Sequence, residues 1–378
     1  MLHAWQKPLS GKSIGVVFGS FAPLHQGHLD LIMRAKKEND GGCLVISCGF
    51  DGDKGEPLMP HTKRYRYVRE FFADDDKVAV YSINDTEIGA KPYPHGWTTW
   101  MEEFENIWLK AVMPWETGIP GDIRYPKRVW YVGDPVYSID LDNLYEEVVL
   151  VDRKDFNPIC ATMIRQNPIK NWDKITFPFR RVFSHNILIT GTASEGKSTL
   201  VQDLGKYFNA PYSHEWARDY MEQSCVADWE LDGADFMAFL EGQYNLNKEL
   251  INSPGNHGVF FADTDALVTK MYAQMYAEDE SCALTPEEYE RVASMADELA
   301  RKSRWDKIFF LCPKNQFVDD HSRFMKHSDM DSRTNLRDKL IKHLEDAGLM
   351  DKVVFLEGGD YYGNFMKVVN YVREVMAR

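Results

Sequence analysis

A chain of 378 residues with 44% hydrophobic and 27% charged side chains has the composition of a folded globular protein and the length of about two ordinary domains. Its formal net charge of −14 at pH 7 disfavours phosphodiester polymers and anionic lipid surfaces, so neither a nucleic-acid nor a membrane partner is expected. No segment approaches the ~20 apolar residues of a spanning helix, the start MLHAWQKPLSGKS lacks a signal-peptide core, and six scattered cysteines form no CxxC pair, which together predict a reduced, cytoplasmic setting.

In chain order, the first apolar run, Ile14 to Phe18, reads as a buried parallel strand; the loop GSFAPLHQGH and an amphipathic helix, LDLIMRAKK, follow it. Strands are predicted at 43–50, 77–83, 128–133 and 147–152, with helical patterns such as TKRYRYVREFF between them. Residues 167–185 are interrupted by proline and read as an irregular connection. The boundary falls near Phe183, giving domains at 1–183 and 184–378. A second strand–loop–helix opening then appears: Asn186 to Thr190, GTASEGKS, and TLVQDLGKYF. Further strands at 258–265, 307–312 and 352–357 alternate with helices such as PEEYERVASMADELARK. Alternation in both halves predicts an α/β fold of two doubly wound, mainly parallel-sheet domains.

Each opening carries a candidate phosphate site. In the first, Pro23 stiffens the turn, Gly27 permits close backbone approach, and His25 and His28 stand three apart at a helix entrance. Two imidazoles beside the positive end of a helix suit an anion. Two surface histidines capping a helix would have the same spacing. Gly133 and Asp134 end the 128–133 strand, where ligands of such sheets bind.

The second loop, Gly191 to Thr199, satisfies G-x-x-x-x-G-K-[ST] through Gly191, Gly196, Lys197 and Ser198, and its strand and helix supply the context that motif requires. Backbone N–H groups of such a loop, here with Ser194, Glu195 and Thr199 among its residues, cradle phosphates. Lys197 is expected at the β- and γ-phosphates of ATP and Ser198 on Mg²⁺. The strand at 259–265 ends in Asp263 and Asp265, either suited to a metal-holding or hydroxyl-activating place. In HEWARDY (214–220), Glu215, Arg218 and Asp219 either hold a sugar acceptor or form a solvated helix start.

These motifs carry a resemblance. GSFAPLHQGH resembles the signature loop of the nucleotidyltransferase superfamily, and ICATMIR (159–165) resembles its second motif. The likeness implies an N-terminal HxGH Rossmann-like domain in which His25 and His28 stabilise the α-phosphate in direct in-line attack, with no protein nucleophile. It also implies that Gly19, Ser20, Phe21 and Gly27 line the nucleotide and that Thr162 and Arg165 grip the phosphates. PYPHGWTTW (92–100) and GFD (49–51) resemble NadR-type nicotinamide mononucleotide adenylyltransferases, which makes Trp97 the candidate to stack on a nicotinamide ring; a core tryptophan is the alternative. The second half resembles the ribosylnicotinamide kinase domain of the NadR family, with a lid at 317–324 and Arg323 facing the transferred group. Arg333 and Arg337, in the next helix, read equally as surface charges.

The resemblance runs from about residue 13 to the C-terminus. Ser20 stands where that family usually has lysine, Cys160 where the second motif usually has serine, and the lid lacks its usual Asp-Gly-x-Arg pattern. Some members carry an N-terminal helix-turn-helix repressor domain, which is not expected in a chain whose first strand begins by residue 14. The implied function is a two-step enzyme of NAD⁺ biosynthesis. With Mg·ATP, the second domain converts nicotinamide riboside to nicotinamide mononucleotide (NMN), and the first joins NMN to AMP, giving NAD⁺ and pyrophosphate. The alternatives are a fused pantetheine-phosphate adenylyltransferase and dephospho-coenzyme A kinase, and a catalytically weak sensor of NAD or ATP. The sequence leaves a homo-oligomer open.

Overall fold

The computed structural model describes residues 6–52, 54–116, 123–144, 146–151, 159–314, 328–356 and 360–377. The chain divides into two compact units, Met1–Phe183 and Ser184–Arg378.

In the first unit, β1 (Ser13–Gly19) leads through α1 (Gln26–Glu38) to β2 (Cys43–Gly49), and α2 (His61–Phe71) leads to β3 (Val78–Asn84). After α3 (Trp97–Ala111) comes a two-residue antiparallel pair, β4 (Trp115–Glu116) and β5 (Ile123–Arg124). Then follow β6 (Lys127–Val132), α4 (Pro135–Asn143), β7 (Glu147–Leu150), α5 (Ala161–Gln166) and α6 (Phe177–Phe183). The main sheet has the order β3-β2-β1-β6-β7 and every pairing is parallel. The strand order switches sides at β1: β2 lies on one side and β6 on the other, which opens a crevice at the carboxyl end of β1.

Both faces of this sheet are covered, so its strands read as unbroken apolar runs. Val17 packs with Leu31, Val45 and Phe179 on one side, while Ile14 and Val16 pack with Ile46, Phe104 and Trp130 on the other. Gly15 admits α1 closely: a Cβ there would lie 2.8 Å from that of Ala35. The loop leaving β1 is thereby aimed along α1.

The expectation of an irregular connection at 167–185 is overturned. Residues Trp172–Lys174 form a 3₁₀ turn and 177–183 form α6, with Phe179, Val182 and Phe183 buried in the first unit's core. Pro178 is tolerated because it lies in the first turn of α6, where its missing N–H breaks no helical bond.

The second unit runs β8 (His185–Gly191), α7 (Lys197–Phe208), β9 (Tyr212–Ser213), α8 (Trp216–Ser224), α9 (Gly233–Ile251), β10 (Val259–Ala262), α10 (Ala266–Ala277), α11 (Pro286–Lys302), β11 (Lys307–Leu311), α12 (Met330–Asp346), β12 (Val353–Leu356) and α13 (Tyr361–Ala377). Its sheet is parallel throughout, in the order β12-β11-β8-β10-β9. The central strand β8 is again the one that feeds the glycine-rich loop. The strand predicted to 265 stops at Ala262, because Asp265 caps the next helix. Among the described residues no helix is long and apolar enough to cross a membrane.

Candidate functional site

The first cradle forms where β1 ends. Phe21 takes φ 44°, a left-handed conformation that costs a non-glycine residue on the order of 1 kcal/mol. Complete burial of its ring, which meets His28 edge-on at 5.1 Å between centroids, holds it there. The chain then enters α1 with His25 as N-cap, its Nδ1 accepting the Gly27 amide N–H at 3.1 Å. In neutral imidazole an accepting Nδ1 puts the proton on Nε2, so His25 keeps a donor on its other edge. The His25 and His28 rings lie 3.8 Å apart between centroids and 30° from parallel. Sequence spacing alone predicts this meeting, and the structure brings the rings together. Gly27 is needed for space, since a Cβ would stand 3.2 Å from His25 Cε1.

Around these rings the other expected residues divide. Arg165 of α5 donates to the Ala22 carbonyl and, at 3.2 Å, to Thr162 Oγ1, which ties the second motif to the histidine loop. Cys160 is the N-cap residue of α5 and makes no side-chain cap bond. Gly133 follows β6, and Asp134 is the N-cap of α4, accepting the Val136 N–H at 3.1 Å; its carboxylate is a helix cap. Trp97 opens α3 within an aromatic group at the end of β1. It stacks on Trp100 at 5.4 Å and 2°, meets Tyr93 edge-on at 6.0 Å, and lies 6.2 Å from Phe18. Its Nε1 is buried with no hydrogen-bond partner among the described residues.

Two supports of this cradle escape the sequence reading. Arg64 of α2 is fully buried and donates to the Ser20 carbonyl at 3.0 Å, so a cation stands behind Ser20 from another element. The 172–176 segment straps the loop from outside. Ile175 bridges His25, Thr176 Oγ1 donates to the Leu24 carbonyl at 3.1 Å, and Gln26 Nε2 donates to the Asp173 carbonyl at 3.0 Å.

The second cradle follows β8. Gly191 takes φ 136° and passes so near β11 that a Cβ would stand 2.5 Å from the Leu311 carbonyl oxygen; Gly196 takes φ 83°. Ser194 shares the left-handed region at φ 62°. Lys197 Nζ donates to the Thr192 carbonyl at 2.9 Å, which folds its ammonium over the loop. Ser198 donates to Asp263 Oδ2, so the two expected metal residues meet. Burial raises the Asp263 carboxyl above its ordinary range, opposed by Lys197 and assisted by Glu215. Thr199 lies in the first turn of α7.

Asp265 serves differently. Its carboxylate caps α10 through the Leu267 and Val268 N–H groups and accepts from Trp305 Nε1 at 3.1 Å, so in this structure it is engaged as a helix cap. Asp265→Ala is expected to lower stability by roughly 2–4 kcal/mol, the sum of a lost cap and an orphaned indole N–H, measured by denaturant unfolding. Nucleotide affinity of the folded variant should stay within twofold of the parent, roughly the noise of a titration.

Beside the loop opens a cleft lined by Lys197, Glu215, Arg218, Phe239, Tyr272 and Arg333. Glu215 accepts from Arg218 Nε at 2.8 Å at the start of α8. Asp219 is turned to His214, 2.6 Å away, and does not line this cleft. The Glu195 side chain is buried and pairs with Arg333, which is itself buried and not the surface charge its sequence allows. Arg337, by contrast, pairs with neighbouring Asp338. Arg323 and the 317–324 segment lie outside the described residues.

Residues 16–170 match the cytidylyltransferase-like family model and residues 186–361 the AAA domain model. The chain is 30% identical over 380 residues to the trifunctional NAD biosynthesis/regulator protein NadR of Escherichia coli (strain K12), an alignment that spans 98% of this chain and 85% of that protein. The chain belongs to the NadR family. A crystal structure of NadR protein in complex with NR shares its fold at a TM-score of 0.83 and 33% identity, over 99% of this chain and 98% of that one. A NadR crystal structure in complex with NAD and AMP-PNP gives a TM-score of 0.80 at 33% identity, over 98% of both chains. The NadR family therefore accounts for both halves at once, in the order in which the two cradles occur.

Proposed function

We propose that this chain makes NAD⁺ from nicotinamide riboside in two ATP-dependent steps: residues 184–378 phosphorylate the riboside to NMN, and residues 1–183 transfer AMP to NMN, releasing pyrophosphate. The observation that carries this reading is the pair of phosphate cradles, each at the carboxyl end of the central strand of its own parallel sheet. The NR complex and the NAD and AMP-PNP complex of the relatives support the ligand classes.

For phosphoryl transfer, the P-loop amides and Lys197 hold the ATP phosphates, while Glu215, facing the cleft beside Arg218, orients the riboside 5′-hydroxyl and draws off its proton. The donor set fits Mg²⁺. A hydroxyl and a carboxylate are hard oxygen ligands, and Asp263 Oδ1 is buried with no hydrogen-bond partner among the described residues. When bound, Mg²⁺ neutralises charge on the phosphate oxygens. Among the described residues no group of three or more His, Cys, Asp and Glu stands ready to hold a metal alone. Ser198 and Asp263 would share it with nucleotide oxygens.

For adenylyl transfer, the NMN phosphate attacks the α-phosphorus of ATP in line. His25 and His28 donate to the oxygens on which charge grows, and the rest is positioning. Protein incubated with nicotinamide riboside, ATP and Mg²⁺ should yield NMN, NAD⁺, ADP and pyrophosphate, resolved by chromatography. Absence of both pyridine nucleotides would refute the proposal.

A further inference from the structure

Phosphate-binding loops work by offering amide N–H groups and a cation to a polyanion, so an acidic side chain inside such a loop needs an explanation. Glu195 is the residue just before Gly196, and its side chain is only 1% exposed. A buried carboxylate beside a bound triphosphate would oppose binding unless its charge were balanced. Here it is balanced from α12. Arg333, 2% exposed, pairs with Glu195 and also donates to the Ala193 carbonyl at 3.0 Å. The same carboxylate accepts the Lys314 N–H, at 3.2 Å to each oxygen. Two loop residues, the chain just beyond β11, and α12 are thus joined through one guanidinium and one carboxylate. The α12 end is fixed independently, since Asp329 caps the helix by accepting the Ser332 N–H at 2.9 Å.

We propose that Arg333 is a positioning residue for phosphoryl transfer: it cancels the charge of Glu195 and holds the Ala193 carbonyl, so the P-loop meets ATP as a preformed cradle in which the charge of Lys197 is not offset by that carboxylate. Arg333 also lines the acceptor cleft, so one side chain borders both substrates' space. The inference rests on the kinase reading of this half for its catalytic readout, and on nucleotide binding alone for its other readout. Both contacts leave the same terminal nitrogen, Nη2, whose two N–H groups diverge in the guanidinium plane; a lysine keeps the charge, but on a shorter stem and without that fixed plane.

The test uses the full chain and four variants: Arg333→Met, Arg333→Lys, Glu195→Gln, and Arg333→Met combined with Glu195→Gln. Arg333→Met should raise KM for ATP in riboside phosphorylation about tenfold or more, with kcat changed by less than about threefold. Arg333→Lys should fall between it and the parent. The double variant, which removes the carboxylate charge together with the guanidinium that faces it, should recover most of the lost affinity. Glu195→Gln alone should bind MgADP as tightly as the parent or tighter. If Arg333→Met fails to fold, the double variant and Glu195→Gln still carry the comparison. An unchanged KM in Arg333→Met, or a double variant no better than Arg333→Met, would overturn the inference and leave Arg333 a purely structural residue. Calorimetric titration with MgADP separates the two claims. If the parent does not phosphorylate the riboside, the kinase reading falls, and the charge-cancelling role is still decided by the order of MgADP affinities.

Discussion

Lys197→Ala is expected to lower riboside phosphorylation by about a thousandfold in kcat/KM while adenylyl transfer to NMN stays within about twofold of the parent. The ammonium folds back on the Thr192 carbonyl, within the loop that would surround the β- and γ-phosphates. A single preorganised donor of this kind contributes about 3–4 kcal/mol to the transition state. The substitution should also move the pH profile of the residual activity. Burial raises the Asp263 carboxyl and Lys197 opposes that rise, so without Lys197 the carboxylate takes its proton at a higher pH. The acid limb of residual activity then shifts upward. Equal loss of both activities would contradict two separate sites.

His28→Ala is the mirror experiment. It should reduce adenylyl transfer by about 100- to 1000-fold and leave riboside phosphorylation within about twofold, because in the proposed reaction the ring donates to oxygens on which charge develops in the first domain alone. His25→Ala should be as damaging but for a mixed reason. Its Nδ1 caps the Gly27 N–H, so the alanine variant loses about 1 kcal/mol of helix stability as well as a donor. The helix-cap part of the stability loss is therefore expected at His25 and not at His28, where only the ring contacts with Phe21 and His25 are lost. Steady-state assays of each half reaction, with thermal unfolding of the same samples, check this.

Both sheets are legible in the sequence because parallel strands covered on two faces are continuous apolar runs, as in IGVVF and KIFFL. The two-residue strands β4, β5 and β9 are too short to show any period. The P-loop is equally legible, since its function depends on a strand, glycines and a helix start that adjoin in the chain. Arg333 is not, because its partner Glu195 lies 138 residues away and nothing local distinguishes it from Arg337. Asp263 and Asp265 look interchangeable in DTD. Only the helix that starts after Asp265 separates them, making one a ligand candidate and the other a cap. Arg64 is hidden in a basic helix, TKRYRYVR, whose pattern gives no sign that one of its cations turns inward.

The strap at 172–176 decides where this polypeptide can be divided for separate expression. Ending an N-terminal fragment at Asn167, just before the first proline of the apparent linker, would discard the Thr176 hydroxyl that grips Leu24 across 152 residues and the Phe179 side chain buried in the same unit's core. Such a fragment would keep the histidine signature intact on paper and lose the brace that holds it. A fragment ending after Phe183 keeps both.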